Sequence, residues 1–214
     1  MLDDHVYSGA ELPTQTDGGP SGYAGGFWGG DGRRRGAAVD AQVSKLAKST
    51  QSVRNSARKL QLTKITFDSL AYHRLEPIEA QRVVLDERRR LATAIDVVCY
   101  NRDRVDEIVL VELKTGFRGD RSLPARDGRG EAIKMRAPLT TARDCALHRH
   151  FSQLSATREL FVREASTMKA LKDKGITRVT GALLYVTPSA SELHTLPGWW
   201  IKRGPRILDH LAGC

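Results

Sequence analysis

The sequence predicts an α/β fold, a mixed central sheet of four or five strands flanked by helices. Three observations predict it. Apolar residues recur at helical spacing near the start of the body. Three short runs rich in β-branched residues follow, separated by polar turns. A second helical segment and a further apolar run then close the pattern.

The elements follow in chain order. Residues 1–32 hold nine of the 19 glycines, no Lys or Arg, and five acids (Asp3, Asp4, Glu11, Asp17, Asp31). Such a segment buries too little apolar surface to offset its ordering entropy, so it is expected to be a flexible acidic tail, with residues 33–214 as one domain. Its Tyr23, Phe27 and Trp28 are either anchors for a protein partner or side chains tucked against the body. Val39, Val43, Leu46, Val53, Ala57 and Leu60 then repeat at spacings of three, four or seven, which predicts one long helix over about 37–61. Lys45, Lys48, Arg54, Arg58 and Lys59 form its solvent side. Asp40 stands at its N-terminal end, beside the apolar stripe; an acid there suits the helix dipole or serves a site.

RVVL (82–85), LATAIDVVCY (91–100) and EIVLVELK (107–114), separated by DERRR and NRDRVDE, predict a three-stranded meander. A polar, Gly-containing and strongly basic excursion runs from Lys114 to about Asp144, a kind of loop that is more often functional or mobile than structural. Residues 144–166 read as a helix with Cys145, Leu147, Phe151, Leu154, Leu160 and Phe161 as its core side. GITRVTGALLYVTP (175–188) reads as another strand, and a tail with Trp199, Trp200 and Ile207 ends the chain.

Composition narrows the function classes. The formal charge is +9, and beyond residue 32 the chain carries 34 basic against 20 acidic side chains. A body that basic suits a polyanion such as nucleic acid, or serves solubility alone. Three widely spaced cysteines (Cys99, Cys145, Cys214) offer neither a CxxC pair nor a disulfide framework, so no zinc site and a reducing compartment are expected. With no apolar stretch of membrane-spanning length and no secretion signal, the chain is expected to be soluble and intracellular, in cytoplasm or nucleus, with no membrane partner.

The chemistry concentrates in VELKTG, residues 111–116. A strand alternates faces, so Glu112 and Lys114 point one way while Val111, Leu113 and Thr115 point the other. A hairpin with its loop near residues 101–107 places Asp96 opposite Glu112, and a register shift of two keeps them on one face. Two carboxylates among apolar neighbours repel, and burying them is costly without a cation. Mg²⁺ or Mn²⁺ is the natural compensation, with Asp96 and Glu112 as ligands and the Leu113 carbonyl as a further oxygen. Lys114 would then orient or activate a water and stabilise charge on a phosphate. The plainer alternative is a surface hairpin with an exposed ion pair.

Asp96, fifteen intervening residues, then Glu112-Leu113-Lys114 resembles the D…(D/E)xK signature of the PD-(D/E)xK nuclease superfamily. The order of elements over about residues 36–190 agrees, and Gln153 in HFSQLSATRELF stands where the branch of RecB-type and phage exonucleases shows a helix Gln. The resemblance implies a restriction-endonuclease-like fold and a Mg²⁺-dependent deoxyribonuclease, exo- or endonuclease, acting on double- or single-stranded DNA. Asp96, Glu112, Lys114 and Gln153 would be its catalytic residues, with Gln153 positioning the nucleotide or the water. Ile95 stands where the family usually has Pro, and the first helix offers Asp40 instead of the family's Glu, as an outer-shell or second-metal group. Many relatives close on DNA as homo-oligomers. Arg88, Arg89 and Arg90 in the first turn, and Arg118, Arg121, Arg126, Arg129, Lys134 and Arg136 in the long loop, are expected to track phosphates or to form a solvated basic surface. His148 and His150 are two apart on a helix, so they diverge and do not share a metal; they are expected at the surface or facing phosphate. The competing readings are a catalytically silent nucleic-acid-binding or packaging protein on the same fold, and an adaptor docking a protein through its N-terminal tail.

Overall fold

The computed structural model describes residues 5–8, 29–57, 59–115 and 119–213, with backbone alone for 5–8, 29–35 and 51. The elements run β1 (His5–Ser8), α1 (Gly29–Ala47), α2 (Gln51–Ser56), α3 (Gln61–Tyr72), β2 (Leu75–Asp86), β3 (Leu91–Asn101), β4 (Glu107–Thr115), α4 (Ala146–Arg163), α5 (Ala165–Asp173), β5 (Arg178–Val186), β6 (Ala190–Thr195), α6 (Gly198–Ile201) and α7 (Gly204–Leu211). The strands form one α/β mixed sheet in the order β1-β6-β5-β4-β3-β2. Among the described strands only β4 and β5 pair in parallel. A parallel pair needs a crossover, and α4 and α5 supply it. Five strands, β2 to β6, make the body of the sheet, and the short β1 adds a sixth at the edge. β1 lies inside the segment expected to be a flexible tail, and α1 starts at Gly29. Tyr23, Phe27 and Trp28 fall outside the described residues, as do Arg58, Arg118 and Cys214.

Helices cover both faces of the sheet, which explains why β4 reads as a continuous apolar run, without alternation. On one face Val98, Ile108 and Leu110 pack with Phe151, Leu154 and Phe161 of α4 and with Trp200, Ile207 and Leu208 of α6 and α7. On the other, Val97, Cys99, Val109, Val111 and Leu113 meet Val39 and Val43 of α1 and Leu70 of α3. Gly181 lets α4 lie close to β5: a Cβ there would stand 3.0 Å from Leu154 Cγ and Cδ2.

The single helix expected over 37–61 is instead the end of α1 and all of α2, with α3 beginning at Gln61. Thr50 is extended and its Oγ1 accepts from Val53 N (3.4 Å), capping α2, while Ser49 Oγ donates back to the Lys45 carbonyl (3.0 Å). Two hydroxyl side chains bonding the backbone end one helix and start another. The apolar phase restarts at the break. Val39, Val43 and Leu46 are buried as expected, but Val53 and Leu60 are 48% and 46% exposed. Arg54, assigned to the solvent side, is 6% exposed and donates to the Pro77 carbonyl (3.0 Å).

Candidate active site

The site forms where regular pairing stops. The last paired residues of β3 and β4 are Val97 and Val111, so Asp96 and Glu112 are next in register but lie just beyond the ladder. The side-chain alternation of β3 breaks at the same place. Ile95 and Val98, three apart, both pack on the α4 face, whereas strict alternation would separate them. Opposite this point on β2, Gln81 has φ +51°, an uncommon conformation for a residue with a side chain and one that gathers at functional sites.

Into the gap between the strands Asp96 inserts its carboxylate. Leu113 N donates to Asp96 Oδ2 (2.8 Å), and Gln81 Nε2 donates to Oδ1 (3.3 Å). The N–H and C=O of one strand residue point to the same side, so the Leu113 carbonyl also faces β3 and the gap rather than β5. Glu112 is 5% exposed. Its Oε1 accepts from Lys114 Nζ (2.7 Å) and from Gln153 Nε2 (2.7 Å), and Lys114 Nζ also donates to Gln153 Oε1 (3.2 Å). The three side chains close a triangle that fixes each of them. Gln153 reaches it from α4, one turn before Thr157, whose hydroxyl donates to the Gln153 carbonyl (3.1 Å).

The structure thus brings Asp96, Glu112, Lys114 and Gln153 together, with the Leu113 backbone among them. Asp40 joins from α1, near enough to feel the charges of Asp96 and Lys114. Burial pushes the Asp96 carboxyl up despite the bond from Leu113 N. It pushes Glu112 up as well, and the charge of Asp96 adds to the effect. Asp40 is raised for the same two reasons. One ammonium among three acids leaves the cluster short of positive charge. Among the described residues no three His, Cys, Asp or Glu side chains stand close enough to form a ready-made metal group. A hard cation needing two carboxylates, a carbonyl and several waters does not require one.

Relieving the crowding is expected to stabilise the metal-free protein. Asp40→Asn removes one of the repelling charges while keeping the shape, and should add about 1 kcal/mol, a rise in Tm of about 3 °C for a chain of this size. Thermal unfolding with chelator present measures it, and a fall in Tm would show Asp40 to be held by an attraction that outweighs the repulsion.

Other assigned residues are placed differently. Arg88 is exposed at the β2–β3 turn. Arg89 is tied to Asp86 (2.9 Å) and Asp209 (2.8 Å), so it braces that turn against α7 instead of reaching outward. Arg121 is ion-paired with Glu192, and its guanidinium lies 4.2 Å over the Tyr185 ring. Arg126, Arg129, Lys134 and Arg136 are exposed. The excursion that carries them is pinned by its own backbone, with Ala125 N and Asp144 O, Ile133 N and Ala125 O, and Met135 N and Ala142 O paired at 2.8–2.9 Å.

The two histidines turn inward. His148 Nδ1 donates to the Arg143 carbonyl (2.9 Å), and its ring is 5.5 Å from Trp200. His150 Nδ1 is 2.6 Å from the Tyr185 hydroxyl. Burial, then the charges of Lys114, Arg121 and Arg149, lowers the His150 pKa to about 4, so it is neutral at neutral pH. Tyr185 is the register neighbour of Lys114 on β5, which sets His150 and Tyr185 beside the Glu112–Lys114–Gln153 triangle. Sequence reasoning missed Gln81 and Tyr185: a left-handed Gln carries no signal, and Tyr185 reads as ordinary strand core. No known protein family matches the chain, and no curated protein matches it in sequence.

Proposed function

We propose that the chain is a metal-dependent nuclease of the PD-(D/E)xK type, hydrolysing DNA phosphodiester bonds by attack of water. The observation that carries the reading is the half-buried Asp96 and the buried Glu112, next in register and close enough for one charge to act on the other, with Lys114 held between Glu112 and Gln153. The donors are hard oxygens in a cluster short of positive charge, which fits Mg²⁺ or Mn²⁺ better than a softer metal. Asp96, Glu112 and the Leu113 carbonyl would hold the ion, with Asp40 in its outer shell. When bound, such an ion polarises the phosphate and lowers the pKa of its water.

The protein's own groups do the rest. Lys114 presents an ammonium where charge grows on the phosphate oxygens, and Glu112 and Gln153 hold it there before substrate arrives. Gln153 also offers its amide toward the nucleotide or the water. DNA would be drawn in by the exposed arginines of the 119–145 segment and by Arg88, with Arg89 and Arg121 keeping the turn and the loop in place. A reducing, intracellular setting belongs to this reading, since Cys99 and Cys145 are buried free thiols. Among the described residues no helix is long and apolar enough to cross a membrane.

A silent nucleic-acid-binding or packaging protein is the second reading, favoured by the lack of a three-carboxylate group among the described residues. Labelled linear, nicked and single-stranded DNA, incubated with Mg²⁺, Mn²⁺ or EDTA, separates the two. The nuclease gives products with metal and none with EDTA, and the product ladder shows its polarity. Tight, salt-sensitive binding with intact DNA under every condition would favour the silent protein.

A further inference from the structure

The C-terminal end, from Pro197 onward, is not used by the proposed catalytic site. Trp200 of α6 and Gly204, Ile207 and Leu208 of α7 are buried, packed against α4. The exposed side of this segment carries Trp199 of α6, Lys202 of the turn, and Arg206 and His210 of α7, with Arg203 half-buried. An outward position next to two arginines ordinarily suits a polar side chain, yet here it holds a Trp that is 37% exposed.

That Trp is fixed in place. Trp200 stands across it at 4.8 Å with the rings 71° apart, and the Arg203 guanidinium lies 3.4 Å over its ring. Arg203 Nη1 also donates to the Trp199 carbonyl (3.3 Å). The one acid between Pro197 and Gly213 is Asp209, and Arg89 already engages it. The exposed side is therefore rigid, aromatic and positive, the combination on which unpaired bases stack while their phosphates are neutralised.

The segment is anchored on the first turns of α4 through Trp200. The Trp200 ring lies 5.5 Å from His148 and 6.0 Å from Phe151, and His148 precedes Gln153 by five residues of α4.

We propose that Trp199, Arg203, Lys202 and Arg206 form a stacking platform for an unpaired nucleic-acid strand entering or leaving the site. This rests on the nuclease reading and gives it a substrate preference, for DNA with a single-stranded portion. The full chain carrying Glu112→Gln provides a background that does not cleave, and labelled oligothymidine and a blunt duplex are titrated against it by fluorescence anisotropy. Adding Trp199→Ala should weaken oligothymidine binding about tenfold and leave the duplex within about twofold, while Trp199→Phe keeps most of the single-strand affinity.

Equal single-strand affinity with and without Trp199→Ala overturns the platform and leaves the nuclease standing. No binding of either nucleic acid by the parent overturns both. A change of sedimentation with nucleic-acid affinity intact makes this side a protein interface and overturns the platform too. Trp199→Phe, which keeps the ring, separates loss of stacking from loss of fold.

Discussion

Lys114→Ala is expected to lower metal-dependent cleavage by roughly 10²–10⁴-fold while DNA affinity changes by no more than about twofold. The asymmetry follows from where the ammonium sits. It is largely enclosed and bonded to Glu112 and Gln153, so it adds little to the surface field that attracts DNA. In the proposed reaction its value is to a charge that appears only in the transition state, and losing an interaction made only then lowers turnover without weakening binding. Single-turnover cleavage and an anisotropy titration on the same preparation measure the two quantities. Cleavage by Lys114→Ala at the parental rate would contradict the role given to Lys114.

Trp200→Ala is expected to produce the largest loss of stability, about 3–5 kcal/mol, or a fall in Tm of about 10 °C. Trp200 is 3% exposed, packs against His148 and Phe151, and gives its carbonyl to Ser155 Oγ (2.6 Å). Truncation would empty a large volume between α4 and α7 and loosen the first turns of α4, which carry Gln153. The C-terminal helices thus belong to the core of the domain, although the family resemblance in the sequence stops near residue 190. Thermal melts report the effect, and a shift of only a degree or two would show that α6 and α7 dock independently of the indole.

The placing of Asp96, Glu112 and Lys114 together was legible because it needed only local geometry. The period of two in a strand sets Glu112 and Lys114 on one face, and the short loop between β3 and β4 sets Asp96 opposite Glu112. The observed ladder, ending at Val97 and Val111, keeps that register. Gln153 came from the family resemblance, and the helix carrying it begins within two residues of the expected start. What escaped depends on distant or conformational facts. The break at Thr50 turns on two hydroxyl groups choosing the backbone, and a periodic pattern continues straight through it. The arginines show their charge in the sequence but not their partners. Of the two acids that engage Arg89, the one in α7 lies 120 residues away, and the one that engages Arg121 lies 71 away, so two residues assigned to DNA act as structural braces. β6, a short edge-side strand of mixed polarity, and the two C-terminal helices carry too few residues for their periods to stand out.

The most direct test of the central claim compares the full chain with Glu112→Gln for Mn²⁺ binding by calorimetry and for DNA cleavage. Glu112→Gln keeps the size of the side chain and a carbonyl for Lys114 and Gln153 to meet, so the fold should survive. The account predicts that Mn²⁺ binding weakens by at least about tenfold and that cleavage falls to background, while salt-sensitive DNA binding persists. Cleavage by Glu112→Gln at the parental rate, or cleavage by the parent undiminished in EDTA, would contradict it.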